Sequence, residues 1–457
     1  MVEKKDSLKE LKHQARRISI KEGIFAATRT SLGNNYLSPF AIAINASNSM
    51  VALLGSISGL LGPLSQTFGS RLIGKYSRKK IVLRSVLVEA LVWLPIIAIA
   101  FLFYKGIWVN SLPFLFLLFF SIYIMVMNIH APAWFSWMGD IVDEKFRGRW
   151  FAKRTLIAGF VAVIVTIIAS IFLDYSGKRG WIMFGFITLF SLAAIARLES
   201  WRSFRKQYEP KIKLKKGTYF SFWDFLRNSP KNNFGRFSIY ISLLYFTIYL
   251  SLPLLVVYLL RNLGFSYTIY VIIVFAGTSL AGFTIALWGR FADKFGNYKI
   301  IVITSIMIPI IPILWILHPS PIYLILIPSI VRGVAWTGLN LSIRNLIYDN
   351  VSPPKRGLAV SYFTMLQGIG IFFGAGLGAI LIKVITTTIV EPIVIIFLIS
   401  GILGMFVVFF GLLKIREVRK TEKLDRKRVK DLIFKEGKSS LSEEFHEIMS
   451  IKKYLEE

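Results

Sequence analysis

Long apolar runs separated by short polar segments make up most of the 457-residue chain. Each run is about 20 residues long, which as a helix is enough to cross the hydrocarbon core of a bilayer. Little of the chain is left for a soluble domain, so the pattern predicts an all-α integral membrane protein. The twelve predicted spans cover residues 19–44, 50–73, 81–104, 112–138, 153–174, 180–198, 237–260, 266–288, 299–318, 321–347, 357–382 and 389–413.

A basic segment in the middle of the chain separates the spans into two groups of six. The N-terminal arm is expected to be interfacial or disordered, and the tail is expected to form a helix near its end. The predicted parts are an arm at 1–18, a six-helix bundle at 19–198, a cytoplasmic linker at 199–236, a second six-helix bundle at 237–413 and a charged tail at 414–457.

The net charge of +30 is distributed very unevenly along the chain. Of the 55 lysines and arginines, 48 lie in the arm, the linker, the tail and the loops from even to odd spans, and 5 lie in the odd-to-even loops. The positive-inside rule then places both termini in the cytoplasm of a cell-membrane protein. Attraction to anionic lipid accounts for the charge, so no nucleic-acid partner is expected.

The polar residues exclude several kinds of chemistry. The chain has no cysteine, which excludes disulfides, thiolate metal sites and a cysteine nucleophile. No metal-ligand cluster and no Ser-His-Asp arrangement stands out among the 4 histidines. We therefore expect no metal, no cofactor and no enzyme activity.

The loop between spans 8 and 9 carries a recognisable pattern of glycine, acid and base. Its elements are Gly289, Asp293, Gly296 and Lys299, and we predict a tight polar turn over 289–299, because glycine permits a sharp reversal. A degraded copy lies between spans 2 and 3 at residues 70–80, where Gly74 replaces the acid.

Two further patterns recur between the halves. The set Asp140, Arg147 and Gly148 returns 209 residues later as Asp349, Arg356 and Gly357. The tripeptide that begins at Tyr36 returns 213 residues later at Tyr249. Three correspondences in one order indicate an internal repeat of six spans.

These loop motifs resemble those of the major facilitator superfamily, and the resemblance covers residues 19–413. It implies twelve transmembrane helices in two pseudo-symmetric six-helix bundles and a secondary active transporter that works by alternating access. No ATP-binding signature is present. The resemblance also implies close contact between the glycine-rich spans 2 and 11.

The family motifs imply a cytoplasmic gate. Asp293 is expected to lie against the start of span 5 near Arg147, where the helix dipole favours an anion. Gly74 cannot act in this way, so we predict a one-sided latch. The candidate gating residues are Asp140, Arg147, Gly148, Gly289, Asp293, Gly296, Asp349, Arg356 and Gly357.

The resemblance further implies that spans 1, 4, 7 and 10 surround a central cavity. Arg29, His130 and Arg332 would make it positive, which favours an anionic substrate. Alternatively, Arg29 pairs with Glu22, and His130 and the aromatic residues only pack. The candidate substrate-binding residues are Arg29, Tyr36, Tyr123, His130, Tyr245, Tyr249, Arg332, Trp336 and Asn340.

Coupling to protons, which follows from the resemblance alone, needs a titratable group within the spans. The candidates are Glu22, Glu89 and His130. Glu22 lies near the cytoplasmic end, where hydration is an alternative explanation. Glu89 has the alternative of pairing with Arg84 or Arg71.

The sequence favours transport of an organic anion or metabolite by a monomer in a bilayer with anionic lipid on its cytoplasmic side. Efflux of amphipathic compounds is the second hypothesis, although span 5 lacks the Gly-Pro motif of drug-proton antiporters. A lipid flippase and a non-transporting receptor or scaffold are the remaining alternatives.

Overall fold

The computed structural model of the chain describes residues 2–73, 75–143, 146–210, 221–279, 281–352, 356–413 and 415. The side chains of 2–8, 279, 281–283, 348–349 and 356–357 are not described. Gly74 and the helix expected in the tail therefore lie outside the described residues. Within the described ranges the chain is almost entirely helical and has no β-strand.

The first six spans correspond to eight helices, because spans 1 and 4 are interrupted. These helices are α1 (Val2–Leu32), α2 (Leu37–Ala43), α3 (Asn48–Leu72), α4 (Arg78–Tyr104), α5 (Leu112–Ile129), α6 (Ala131–Ile141), α7 (Arg147–Lys178) and α8 (Ile182–Lys206).

A short helix in the linker and the last six spans complete the described chain. These helices are α9 (Phe222–Asn228), α10 (Asn233–Tyr249), α11 (Leu255–Val257), α12 (Tyr267–Ser279), α13 (Ala281–Phe295), α14 (Asn297–Leu317), α15 (Pro321–Leu326), α16 (Pro328–Asn350), α17 (Arg356–Val384) and α18 (Pro392–Leu412).

Most of these helices suit a bilayer by length and composition. Among the described residues, 10 helical stretches are long and apolar enough to cross a membrane, and residues 267–278 form a shorter apolar helix. Glu22, Arg29 and the basic arm keep α1 outside this set. The predicted multi-pass architecture is therefore confirmed.

The N-terminal arm differs from the prediction. It is helical and continuous with span 1, because α1 runs without a break from Val2 to Leu32, whereas its predicted interfacial position stays a prediction. The reason is burial: Ala15 lies in a hydrophobic core cluster with Trp137 and Met138. The small side chain of Ala15 lets the helix pack closely there.

The turn between spans 8 and 9 is shorter than predicted. Helix α13 continues to Phe295 and α14 begins at Asn297, so Gly289 and Asp293 lie in a helix. Gly296 alone makes the reversal, with a φ of 90° that L side chains rarely adopt.

The repeated tripeptide coincides with helix breaks in both halves. Residues 34–36 form a 3-10 turn between α1 and α2, so Tyr36 lies at the break in span 1. In span 7, α10 ends at Tyr249 and a 3-10 turn follows at 252–254. The same local sequence thus interrupts the first span of each half, which supports the internal repeat.

The contacts divide the chain into two compact units. Unit 1 comprises Met1–Lys216, Tyr249–Ile272 and Gln367–Ile396, and unit 2 comprises Gly217–Ile248, Ile273–Leu366 and Phe397–Glu457. These units are defined by contacts between residues, whereas the two predicted bundles are defined by the order of the spans along the chain. The predicted boundaries at 19–198 and 237–413 therefore stay a prediction.

Helix α8 is central to unit 1, where it packs against α1, α4 and α7. An aromatic core around Phe40 includes Phe116, Phe186 and Phe190 at ring-centroid distances of 5.1–5.3 Å. In unit 2, α16 packs against α13 and α14.

The start of the linker is held against unit 1 by a group that we call the linker clamp, made of Arg78, Lys79 and Trp137. Arg78 Nη2 donates to the Pro210 carbonyl at 2.9 Å and Lys79 Nζ donates to the Gln207 carbonyl at 2.8 Å. Trp137 Nε1 donates to the Tyr208 carbonyl at 2.8 Å. Residues 207–210 therefore belong structurally with the first six spans.

Helix α9 lies further along the linker, in unit 2. Ser221 and Asp224 form a reciprocal capping box at its start. The hydrogen bonds from Ser221 lower the pKa of Asp224 below its usual value. Phe222 and Phe225 pack on Tyr362, at ring distances of 5.6 and 5.8 Å, while Trp223 is exposed.

Candidate functional site

Charged side chains from spans 1, 3, 5 and 6 meet inside unit 1, in a group that we call the buried charge cluster: Glu22, Arg29, Glu89, Arg154 and Arg197. Glu89 is 0% exposed, Arg197 1%, Glu22 2% and Arg29 7%. Arg154 reaches the cluster from span 5. Charges within membrane spans are costly and are usually retained for a function.

Glu89 lies between two arginines. Its Oε2 accepts from Arg197 Nη2 at 2.6 Å and from Arg197 Nε at 2.9 Å. Its Oε1 lies 3.3 Å from Arg29 Nε. The pairing of Glu89 with Arg84 or Arg71, considered from the sequence, is therefore replaced by pairing with Arg197 and Arg29.

Glu22 is bound mainly from spans 5 and 6. Arg154 Nη2 donates to Glu22 Oε2 at 2.8 Å, and Ser200 Oγ donates to Oε1 at the same distance. Arg197 Nη1 lies 3.8 Å from Oε1. A pairing of Glu22 with Arg29 inside span 1 is thus not the arrangement that forms. The Arg154 guanidinium also stacks over Trp134 at 4.5 Å.

The Nη1 atom of Arg29 points to polar groups of spans 1 and 4. It donates to the Tyr123 hydroxyl and to Asn34 Oδ1, each at 2.9 Å. The Tyr123 hydroxyl in turn donates to Asn34 Oδ1. One guanidinium, one phenol and one amide thus form a closed set of hydrogen bonds beside Glu89.

His130 lies where span 4 is interrupted. The interruption falls between α5 and α6, two residues before Pro132, which has no N–H to continue the helix. Arg197 Nη2 lies 3.1 Å from His130 Nε2. Because a guanidinium can only donate, Nε2 accepts, and His130 is assigned as the neutral tautomer with its proton on Nδ1.

The charge balance of the cluster is positive. Three guanidiniums face two carboxylates, with His130 neutral. Buried ion pairs do not by themselves stabilise a fold strongly, but removal of one partner leaves a buried charge and costs about 3–5 kcal/mol. An anion that enters this region would meet the surplus positive charge.

The remaining predicted substrate residues fall into both units. In unit 1, Tyr36 is fully buried and donates to the Thr166 carbonyl at 2.6 Å, while Tyr249 is partly buried. In unit 2, Tyr245 and Trp336 pack edge to face with ring centroids 5.1 Å apart. Arg332 donates to the Val274 carbonyl, and Asn340 is exposed. Their role in binding stays a prediction.

The gating residues of unit 1 are engaged near the linker clamp. Asp140 Oδ2 accepts from the buried Arg78 at 2.6 Å. Arg147 donates to the Gly139 carbonyl at 2.9 Å and the Val142 carbonyl at 3.3 Å. No heavy atom of the described neighbours approaches within 4 Å of a Cβ placed on Gly148.

The other gating candidates are described in part. Asp293 is exposed on α13. The side chains of Asp349 and Arg356, and the surroundings of Gly357, lie outside the described residues. The latch between Asp293 and the start of span 5 stays a prediction.

Sequence reasoning missed Arg154, Asn34 and above all Arg197. The sequence places Arg197 at the end of span 6, where its charge is counted with the cytoplasmic charges of the linker, whereas α8 continues to Lys206 and buries the side chain. The available signal was the apolar run before it, with Ala193, Ala194 and Ala196, which continues the helical face of span 6.

Asp174 in α7 is a further residue that sequence reasoning missed. It accepts from the backbone N–H groups of Tyr267 at 2.7 Å and of Thr268 at 2.9 Å, at the start of α12. A carboxylate stabilises a helix N-terminus, because it satisfies free N–H groups and opposes the helix dipole. This contact joins spans 5 and 8.

The described residues hold no group of three or more potential metal ligands. The family model described as Major Facilitator Superfamily matches residues 23–231 and 237–453. No curated protein sequence shows significant similarity to the chain.

Several solved transporter structures share the fold. A mutant of the nucleoside transporter NupG has a TM-score of 0.65 at 15% identity and covers 89% of this chain and 100% of its own. A bacterial homologue of the iron transporter ferroportin has a TM-score of 0.65 at 13% identity, with 88% and 98% covered. A D-xylose-proton symporter has a TM-score of 0.64 at 14% identity, with 90% and 99% covered.

Proposed function

Because the chain belongs to the major facilitator superfamily, a family of membrane transporters rather than enzymes, we propose that it moves a small organic anion or metabolite by alternating access, coupled to protons. The observation that supports an anion is the surplus guanidinium of the buried charge cluster. Arg29 presents it together with the neutral donors and acceptors of Asn34 and Tyr123. Arginine binds carboxylates and phosphates through charge-assisted hydrogen bonds.

Proton coupling is the second part of the proposal. Glu22, Glu89 and His130 all contact Arg197, so a proton on any of them would change the same set of ion pairs. One structural relative is named as a proton symporter, which supports this mode of coupling. The cluster then links the charge of the substrate to the charge of the coupling residue.

The proposed setting is the cell membrane, with both termini in the cytoplasm and anionic lipid at the basic surface. The uneven distribution of lysine and arginine supports this orientation. We propose that the transporter is a monomer, as the two-half architecture needs no second copy to form a central site.

Efflux of amphipathic compounds is the second candidate. The edge-to-face pair of Tyr245 and Trp336 in unit 2 supports it, because such rings can stack on flat or cationic ligands. A lipid substrate and a non-transporting receptor are the remaining alternatives, and the same experiment distinguishes both of them from the first two candidates.

The test is flux in proteoliposomes that contain a pH-sensitive dye. Anionic, neutral and cationic metabolites and amphipathic drugs are applied to the wild type, to Arg29→Met and to Arg84→Met, whose side chain is exposed. We expect proton movement with anions, reduced about tenfold or more in Arg29→Met and unchanged in the control.

Other outcomes contradict the proposal. Proton movement with cationic drugs alone would favour efflux. Anion flux that is equal in all three proteins would place the substrate away from Arg29. The absence of flux across the panel would favour a lipid substrate or a receptor role.

A further inference from the structure

Glu89 contacts its two arginines unequally. Both hydrogen bonds that it accepts from a guanidinium come from Arg197 and end on Oε2, at 2.6 and 2.9 Å. Oε1 faces Arg29 Nε at 3.3 Å, and neither of these two atoms makes a hydrogen bond within the described residues. One arginine thus fixes the carboxylate, and the other is only a nearby charge.

Arg197 is tied to several helices at once. Besides Glu89 in α4, it contacts His130 Nε2 at 3.1 Å, Ser200 Oγ at 3.2 Å and Glu22 Oε1 at 3.8 Å. It is 1% exposed. If Arg197 moved away, two buried carboxylates would lose an ion pair, which is expensive in a membrane span.

Arg29 has the opposite character. The groups that accept its hydrogen bonds, Asn34 Oδ1, the Tyr123 hydroxyl and Met127 Sδ, are neutral. If these bonds were exchanged for bonds to another acceptor, no charge would be stranded, because Glu89 would keep both bonds to Arg197. Arg29 is also more exposed than Glu89, Arg197 or Glu22.

We propose that Arg197 is a positioning residue that keeps Glu89 ionised and in place, and that Arg29 is the guanidinium released to the anionic group of the substrate. The second part rests on the proposed function, whereas the first part does not. The two arginines that share the Glu89 carboxylate therefore have different roles. Arg197, in span 6, thus also has a role in the site.

The first experiment needs no substrate. Thermal unfolding of the purified protein is followed by tryptophan fluorescence for Arg197→Met and Arg29→Met, each alone and combined with Glu89→Gln, with Arg84→Met as the control. We expect Arg197→Met to lower Tm by about 5 °C or more, and Glu89→Gln to restore part of that loss. Arg29→Met should lower Tm less than Arg197→Met does. Adding Glu89→Gln to Arg29→Met should lower Tm further, because it removes the remaining ion pair with Arg197.

The second experiment measures transport of the anion that gives the largest flux. Arg29→Lys should raise KM by about tenfold with a similar maximal rate, because lysine keeps the charge but loses the planar fork. Arg197→Lys should mainly lower the maximal rate, because a displaced Glu89 impairs coupling while Arg29 still binds. A purely structural role for Arg197 would reduce transport by Arg197→Lys only through a lower amount of folded protein, with the maximal rate per folded transporter unchanged.

The two experiments fail separately. If adding Glu89→Gln restores the Tm of Arg29→Met and not that of Arg197→Met, the roles of the two arginines are reversed and the proposal is overturned. If no anion is transported by the wild type, the proposed function and the role of Arg29 fall together. The thermal measurements then still decide whether Arg197 positions Glu89.

Discussion

Tyr123 shows how one neutral residue can hold a member of the buried charge cluster, Arg29, in place. Its hydroxyl accepts from Arg29 and donates to Asn34, and its ring packs on Trp93 at 4.9 Å. The side chain is fully buried, so no water compensates for a lost partner. A hydroxyl in such a place contributes more than one at the surface, because an unpaired buried donor or acceptor is costly.

We therefore expect Tyr123→Phe to lower the free energy of unfolding by about 1–3 kcal/mol and to weaken substrate binding through Arg29. Unfolding in SDS followed by tryptophan fluorescence measures the first effect, and the KM of flux measures the second. Tyr104→Phe is the matched control, because Tyr104 is 60% exposed. Equal stability of the two variants would contradict the role of the Tyr123 hydroxyl.

At the scale of helices, α3 and α17 approach so closely that glycine is required. A Cβ on Gly368 would lie 2.4 Å from the Gly59 carbonyl oxygen and 2.6 Å from Pro63 Cγ. Nearby, Ser56 Oγ donates to the Phe372 carbonyl at 2.9 Å. Small residues and hydroxyl-to-carbonyl bonds are the usual means by which membrane helices pack tightly. The predicted contact of spans 2 and 11 is thus observed within unit 1.

Alanine at Gly368 should force these helices apart. We expect Gly368→Ala to lower the free energy of unfolding by about 1–3 kcal/mol, as overpacking does. Gly159→Ala in α7 is the control, because no described heavy atom lies within 4 Å of its added Cβ, and there alanine should be neutral or stabilising. An equal loss of unfolding free energy in the two variants would mean that the close approach of α3 and α17 does not require glycine at 368.

At the scale of the whole molecule, the orientation in the membrane is accessible because the chain has no cysteine. Single cysteines at Asn110 and Tyr76, both exposed, report on opposite sides of the proposed topology. We expect an impermeant maleimide to label Asn110→Cys on intact cells and to label Tyr76→Cys only after lysis. The reverse pattern would place the termini outside.

The sequence predicts the positions of the helical spans but not which charged side chains form ion pairs. The apolar runs predict the helices well, and the three charged residues Glu22, Arg29 and Glu89 in spans 1 and 3 are recognised as candidates. Which arginine faces Glu89 depends on the rotation and depth of α8, which hydropathy does not encode. The sequence therefore predicts only that Arg197 ends span 6 among the cytoplasmic charges, although tertiary packing buries it.

The structure also differs from the sequence prediction in where helices are interrupted and where they end. The interruption at His130 follows from Pro132, and the single-residue turn follows from the positive φ of Gly296. The arm continues α1, and Ala15 within it is buried. Each of these depends on one residue in a particular packing environment, which an average over a window of sequence does not detect.

The linker clamp has a consequence for how the chain is made. Arg78, Lys79 and Trp137 emerge from the ribosome early, and their acceptors at residues 207–210 follow directly after α8. Because domains generally fold in order during synthesis, the clamp can close once residues 207–210 have left the ribosome. The first six spans would then be secured on their basic side before the last six spans have been completed.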